Sequence, residues 1–164
     1  MADFYGTVVG ADAYHLARGN TTWTGDNTAK EVALLRGSEY VDTTFRSDFP
    51  GEKTGERAQV REWPRSWADD ADGNALDPDE IPIEVENATY EAALRELTSP
   101  GALQPDYNPA GQQKSVQVDV IKIEYAAPYG ADSVLPIITV IRGILAPLLS
   151  GSTSSSIAGR AART

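Results

Sequence analysis

The stretch from Trp63 to Pro82 restricts what this chain can fold into more than any other part of it. Pro64 excludes helical backbone at the residue before it, so Trp63 is held on an extended segment with a fixed direction. Asp72-Gly73 is a tight-turn dipeptide, because glycine takes a positive φ without steric cost. Asp79 and Glu80 lie where a helix N-terminus favours negative charge, and Pro82 suits a first helical position, where no amide donor is needed. A helix is expected over 82–98, with Ile83, Tyr90, Leu94 and Leu97 on one face and Val85, Ala88 and Ala92 widening it. Ser99-Pro100-Gly101 stops it.

Apolar spacing predicts three more helices. One covers 8–18, capped by Thr7 and closed by Gly19. In the next, Thr28 and Glu31 form a capping box, and the helix runs to about Phe45. Leu34, Gly37, Val41 and Phe45 share its stripe, while Lys30 and Arg36 lie off it in water. Asp48 to Glu62 lacks periodicity and reads as an exposed connection. Further on, Val116, Val118 and Val120 alternate with polar residues, and so do Ile121, Ile123 and Tyr125. The apolar phase slips by one residue at Val120-Ile121; a β-bulge, two short strands or burial on both faces would each satisfy it.

The last helix is expected over 135–149, with Pro136 in its first turn and Ile137, Ile141, Ile144, Leu145 and Leu148 as its stripe. Ile138, Val140 and Leu149 leave it apolar nearly all round, which calls for cover from a neighbouring subunit. It is too short, and too interrupted by Arg142, Gly143 and Pro147, to read as a membrane span. The fold class is therefore mainly α: a small helical bundle over 1–149 with a projecting β-hairpin or extended strand, and a flexible C-terminal tail over 150–164. That tail is either a disordered end or a segment that orders on a partner through Ile157, Arg160 and Arg163.

Charge and missing residue types narrow the chemistry. A net charge of −10 argues against gripping nucleic acid by neutralising phosphates. From Ser66 to Leu94 there are nine acidic side chains and no Lys or Arg. This surface is either a solvated face or one that repels DNA or docks a basic partner. Trp63, Trp67, Arg57, Arg61 and Arg65 are the best candidates for nucleic-acid contact, since aromatics interleaved with arginines stack bases. The favoured alternative is that Trp63 anchors the loop to the helices and the arginines answer acidic neighbours. With no cysteine, and His15 as the lone histidine, thiolate and multi-histidine metal sites are excluded within one chain. His15 reads as a packed or surface residue rather than a triad member. Around Gly73 the spacing departs from an EF-hand loop, placing Ala68 first and Asp79 last. Gly51-Glu52-Lys53-Thr54-Gly55 has a phosphate loop's letters in the wrong order. No catalytic residue, cofactor or metal is expected, and the start, Met1-Ala2-Asp3-Phe4, does not read as a signal peptide.

The order Trp63-Pro64-Arg65, Asp72-Gly73, Asp79-Glu80-Ile81-Pro82 and helix resembles the head-tail connector (adaptor) proteins of tailed phages. Some members of that family are labelled DnaT-like single-stranded DNA-binding proteins. Residues Thr7 to Tyr14 look like the family's opening, although Gly10 replaces its usual acidic residue, and Ile144 to Leu149 look like its close. The resemblance spans residues 5–149. It implies a virion protein, assembled in the host cytoplasm, that forms a dodecameric ring under the portal protein. The bore would pass DNA without reading its sequence, and the ring would dock the head-closure (stopper) or tail-terminator protein. Portal docking would fall to Ile157, Arg160, Arg163, Leu148 and Leu149. Contacts between subunits would fall to Trp63, Arg65, Val118, Ile121 and Ile123. Single-stranded DNA binding is the alternative function.

Overall fold

The computed structural model describes residues 3–104 and 138–149 in full, and the backbone of 115–118 and 121–124. These residues are mainly helical. Helices α1 (Val8–Ala17), α2 (Asn27–Phe45), α3 (Ile83–Thr98) and α4 (Thr139–Leu145) are joined by β1 (Glu52–Lys53) with β2 (Arg65–Ser66), and by β3 (Ser115–Val118) with β4 (Ile121–Glu124). Both strand pairs are antiparallel.

Local chemistry sets each helix start. The Thr7 side chain accepts from the Gly10 amide at 2.9 Å, and Gly19 leaves α1 at a φ of +67°. For α2 the cap is Asp26, not Thr28: the Asp26 carboxylate accepts from the Ala29 amide at 2.8 Å, and Thr28 lies inside the first turn. Asp26 is the earlier acceptor on extended backbone, so the helix begins there. Pro82 likewise sits one residue before its expected place, at the cap of α3, with extended backbone (φ −57°, ψ 141°).

The centre of the fold is α2 against α3. A Cβ on Gly37 would lie 2.9 Å from both the Ala93 nitrogen and the Thr89 carbonyl oxygen, so α2 approaches α3 to backbone contact there. That close crossing decides which face of α3 is buried. Val85, Ala88, Thr89, Ala92 and Ala93 turn inward with Tyr90, while Ile83 is 59% exposed and Leu94 and Leu97 are half-buried. Small residues let the neighbour in; the bulkier side chains ride at the edge. On α2 the expected stripe of Leu34, Gly37, Val41 and Phe45 is buried. Lys30 is not left in water, because it folds over to pair with Asp12 at 2.8 Å.

Two apolar clusters result. One gathers Tyr5, Tyr40, Phe45, Phe49, Trp63 and Val85 with Ile141, Leu145, Leu148 and Leu149; the other joins Tyr14 of α1 to Trp23, Leu34 and Tyr90. Helix α4 is shorter than expected. Its Ile138 end is the cap, and the chain turns after Leu145, dropping Leu148 and Leu149 into the core. Pro136 and Ile137 lie outside the described residues. The phase slip near Val120 resolves as two short strands, with Val118 opposite Ile121 and Val116 opposite Ile123.

The span 48–62 is exposed through its middle, Thr54 to Ala58, as its composition predicts, but its ends are not. Phe49, Arg61 and Glu62 are buried, β1 pairs with β2, and a 3-10 turn covers Glu56–Ala58. Polar composition misleads here because ion pairs, not apolar periodicity, carry the residues inward.

Candidate partner-binding surface

Asp42, four residues after Ser38 on the inner face of α2, holds the motif loop to the helices. Its carboxylate accepts from the Tyr5 hydroxyl at 2.5 Å, from Arg61 Nη1 at 3.3 Å and from the Glu62 amide at 3.4 Å. The Tyr5 hydroxyl in turn accepts from the Trp63 amide at 3.0 Å, and Arg61 Nε donates to the Asp3 carbonyl at 2.6 Å. Burial pushes the Asp42 carboxyl above its usual range, against the pull of Tyr5 and Arg61. Burial first, and Asp42 second, push the Tyr5 hydroxyl far up, so it remains a donor.

Glu62 is a second hub. It pairs with Arg46 at 3.0 Å, Lys53 at 3.3 Å and Arg65 at 3.0 Å. Arg65 also donates through Nε to the Pro50 carbonyl at 2.6 Å and through Nη2 to the Gly51 carbonyl at 2.7 Å. Both buried arginines are thus spent inside the chain, and Trp63 is 1% exposed, packed edge-on against Phe49. Of the five residues proposed for nucleic-acid contact, the structure buries Trp63, Arg61 and Arg65 and leaves Arg57 and Trp67 outside. The loop is a clamp that fixes the N-terminal segment, α2 and the strand pair to one another.

Trp67 is the opposite of Trp63. It is 83% exposed at a φ of +53°, an uncommon backbone for so large a side chain. Its neighbours hold it there: Ala68 is 1% exposed, the Leu76 amide donates to the Ala68 carbonyl at 2.8 Å, and Asp69 bridges Ala75. The acidic turn that follows is built by Asp70, whose carboxylate accepts from the amides of Asp72 and Asn74 and from the Asn74 side chain. The Asn74 side chain and amide hold Asp70 below the usual carboxylate range. Among the described residues no three His, Asp or Glu side chains gather as a metal site.

An open groove of about 670 Å³ lies along α3, lined by Leu94, Leu103 and Ile138 with Arg18, Glu91 and Arg95. Its charges are matched within the chain. Arg95 pairs with Glu91 at 2.9 Å, and Arg18 lies 3.5 Å from the centre of the Tyr14 ring. Burial, then Glu91, push the Tyr14 hydroxyl up to about 12. His15 is packed: Nε2 meets the Tyr90 carbonyl at 3.1 Å, and Nδ1 meets the Asn20 amide group at 3.1 Å. These partners fix it as a neutral, Nε2-protonated ring, and burial holds it below the usual histidine range.

The residues expected at partner contacts fall in three places. Trp63, Arg65, Leu148 and Leu149 sit inside the chain's own core and so offer little surface to another subunit. Val118, Ile121 and Ile123 belong to the β3–β4 hairpin, whose backbone alone is described. Ile157, Arg160 and Arg163 lie outside the described residues. Tyr5 and Asp42, the residues that organise the clamp, escape a motif-based reading. Asp42 did leave a signal, since it is an acid beside Val41 on the stripe that α2 buries.

A small helical protein with an internally neutralised clamp and an acidic, tryptophan-bearing loop is the class these features define. The whole chain, residues 1–164, matches the family described as "Putative DnaT-like ssDNA binding protein", and it belongs to that family. No curated protein and no solved structure matches it. The match carries the family's DNA-binding description and says nothing of a head-tail connector.

Proposed function

We propose that this protein is a structural, non-catalytic subunit of a phage neck: a ring-forming adaptor seated between the portal and the next neck protein. The observation that carries this reading is where the arginines go. Arg61 and Arg65 neutralise Asp42 and Glu62 inside the chain, and the loop from Asp69 to Glu80 carries acids with no Lys or Arg among them. Such a surface suits a wall past which DNA slides better than one that holds it. The resemblance over residues 5–149 supports the same reading. Mixing the full-length protein with the portal ring of its own particle and imaging the product tests it. A ring on the portal's tail-facing end is expected; no association at all would sink the adaptor reading.

A second reading, single-stranded DNA binding, is the one that the family description names, and of the two it alone has that support. Its accessible groups are Arg57 and Trp67. It predicts salt-sensitive binding of oligonucleotides that Arg57→Glu and Trp67→Ala both weaken. Substitution of Arg61 or Arg65 would report folding instead, since each is buried in an ion pair.

A further inference from the structure

We propose that the exposed face of Trp67 is a docking surface for the arginine-bearing segment 150–164 of the same chain. The surface is already shaped. Beside the indole is an open concavity of about 490 Å³ lined by Ser66, Ala68, Asp69, Ala75, Leu76 and Pro78. The loop is held rigidly around it. A Cβ on Gly51 would strike the Ser66 carbonyl oxygen, so the chain entering β1 is pressed directly against the backbone that carries Trp67.

Charge specifies the occupant. Asp69, Asp72, Asp77, Asp79 and Glu80 are exposed on this loop, and the one arginine close by in sequence, Arg65, is buried on Glu62. Segment 150–164 is the counterpart: it carries Arg160 and Arg163 and no acid. A guanidinium can lie flat on an indole face while its N–H groups pair with a carboxylate beside the ring.

Connectivity specifies the source. The Ala71 amide donates to the Pro147 carbonyl at 2.7 Å, so the chain leaves α4 against this same loop. Trp67 is four residues from Ala71, at most about 14 Å of chain, whereas Arg160 lies eleven residues past Leu149, a reach on the order of 36 Å. So short a tether sets an effective concentration in roughly the millimolar range, which a separate molecule rarely matches. The inference depends on neither functional reading above.

Acrylamide quenching of tryptophan fluorescence in the full-length chain tests it, because Trp23 and Trp63 are buried and Trp67 alone is exposed. Trp67→Phe assigns the accessible component. Arg160→Glu combined with Arg163→Glu should raise quenching of that component several-fold. The parent's protection should be the same at all protein concentrations and should vanish in about 1 M salt, where screening acts over roughly 3 Å. Both arginines lie outside the described core, so unchanged helical circular dichroism shows that folding is intact. Equal quenching in parent and double variant overturns the proposal. Protection that appears only as protein concentration rises also overturns it, giving the surface to a second copy instead.

Discussion

Asp42 satisfies three donors from distant parts of the chain, and its removal strands all of them. Asp42→Ala should cost about 3–5 kcal/mol, the range for an ion pair broken with its partner still buried, because Arg61 would be left uncompensated. Asp42→Asn keeps an acceptor for Tyr5 and should cost less. Urea titration with an unchanged slope reads both; equal losses would show that the charge on Asp42 carries the whole effect and the retained acceptor nothing. His15 makes a pH prediction. Burial lowers its folded pKa, so the unfolded chain binds the proton more readily and stability rises with pH over that window. The contribution is present above the unfolded value of 6.5 and is lost as pH falls below it through the folded pKa. His15→Gln should flatten the pH dependence of stability below about pH 6.5 relative to the parent. An identical slope in the variant would remove His15 from the account.

At the scale of elements, two glycines in helices carry opposite predictions. Gly37→Ala drives a methyl into the Ala93 nitrogen and the Thr89 carbonyl, neither of which can swing aside, and should destabilise by about 1–3 kcal/mol as α2 and α3 separate. Gly143 on α4 meets nothing within 4 Å, so Gly143→Ala should stabilise by about 0.5–1 kcal/mol through helix propensity alone. Thermal melts of the two variants should move in opposite directions; a rise for Gly37→Ala would mean that the α2–α3 crossing is not set by Gly37, and a fall for Gly143→Ala that its surroundings are not open. The helices themselves were legible, because periodic apolar residues and short polar caps are local signals. The rotation of α3 was legible in part: Val85, Ala88, Tyr90 and Ala92 are buried as expected, but the face is centred on the small residues, so Ile83, Leu94 and Leu97 fall at its edge or outside it. The ends of 48–62 were illegible for another reason. Arg61 and Glu62 are buried through partners on α2 and beyond the loop, and composition alone scores such residues as exposed.

For the whole molecule, the sequence showed the sign of the surface but not its distribution. A net charge of −10 is legible from composition, and Arg61 and Arg65 answer acids as the favoured reading of the arginines expects; which acids they meet was not legible, since it depends on what α2 and the loop bring to them. The remaining self-repulsion is screened by salt while the buried pairs are not. The melting temperature at pH 7 should therefore rise by a few degrees between low salt and about 0.5 M sodium chloride. A fall would mean that half-exposed ion pairs such as Arg36–Glu96, whose arginine lies in water, outweigh the repulsion. Trp63 anchors the loop as the favoured reading expects, whereas nothing local marks Trp67, four residues away, as the exposed tryptophan.

The bond from Ala71 to Pro147 also has a mechanical meaning. A pull applied beyond residue 149 meets the buried Leu149 and Leu148 first and then, through Pro147, the acidic loop. It then passes through the Leu76–Ala68 bond to β2, and from Arg65 into the Glu62 hub. Tension at that end is therefore borne by ion pairs loaded across several strands of chain at once, instead of being spent in peeling α4 away turn by turn.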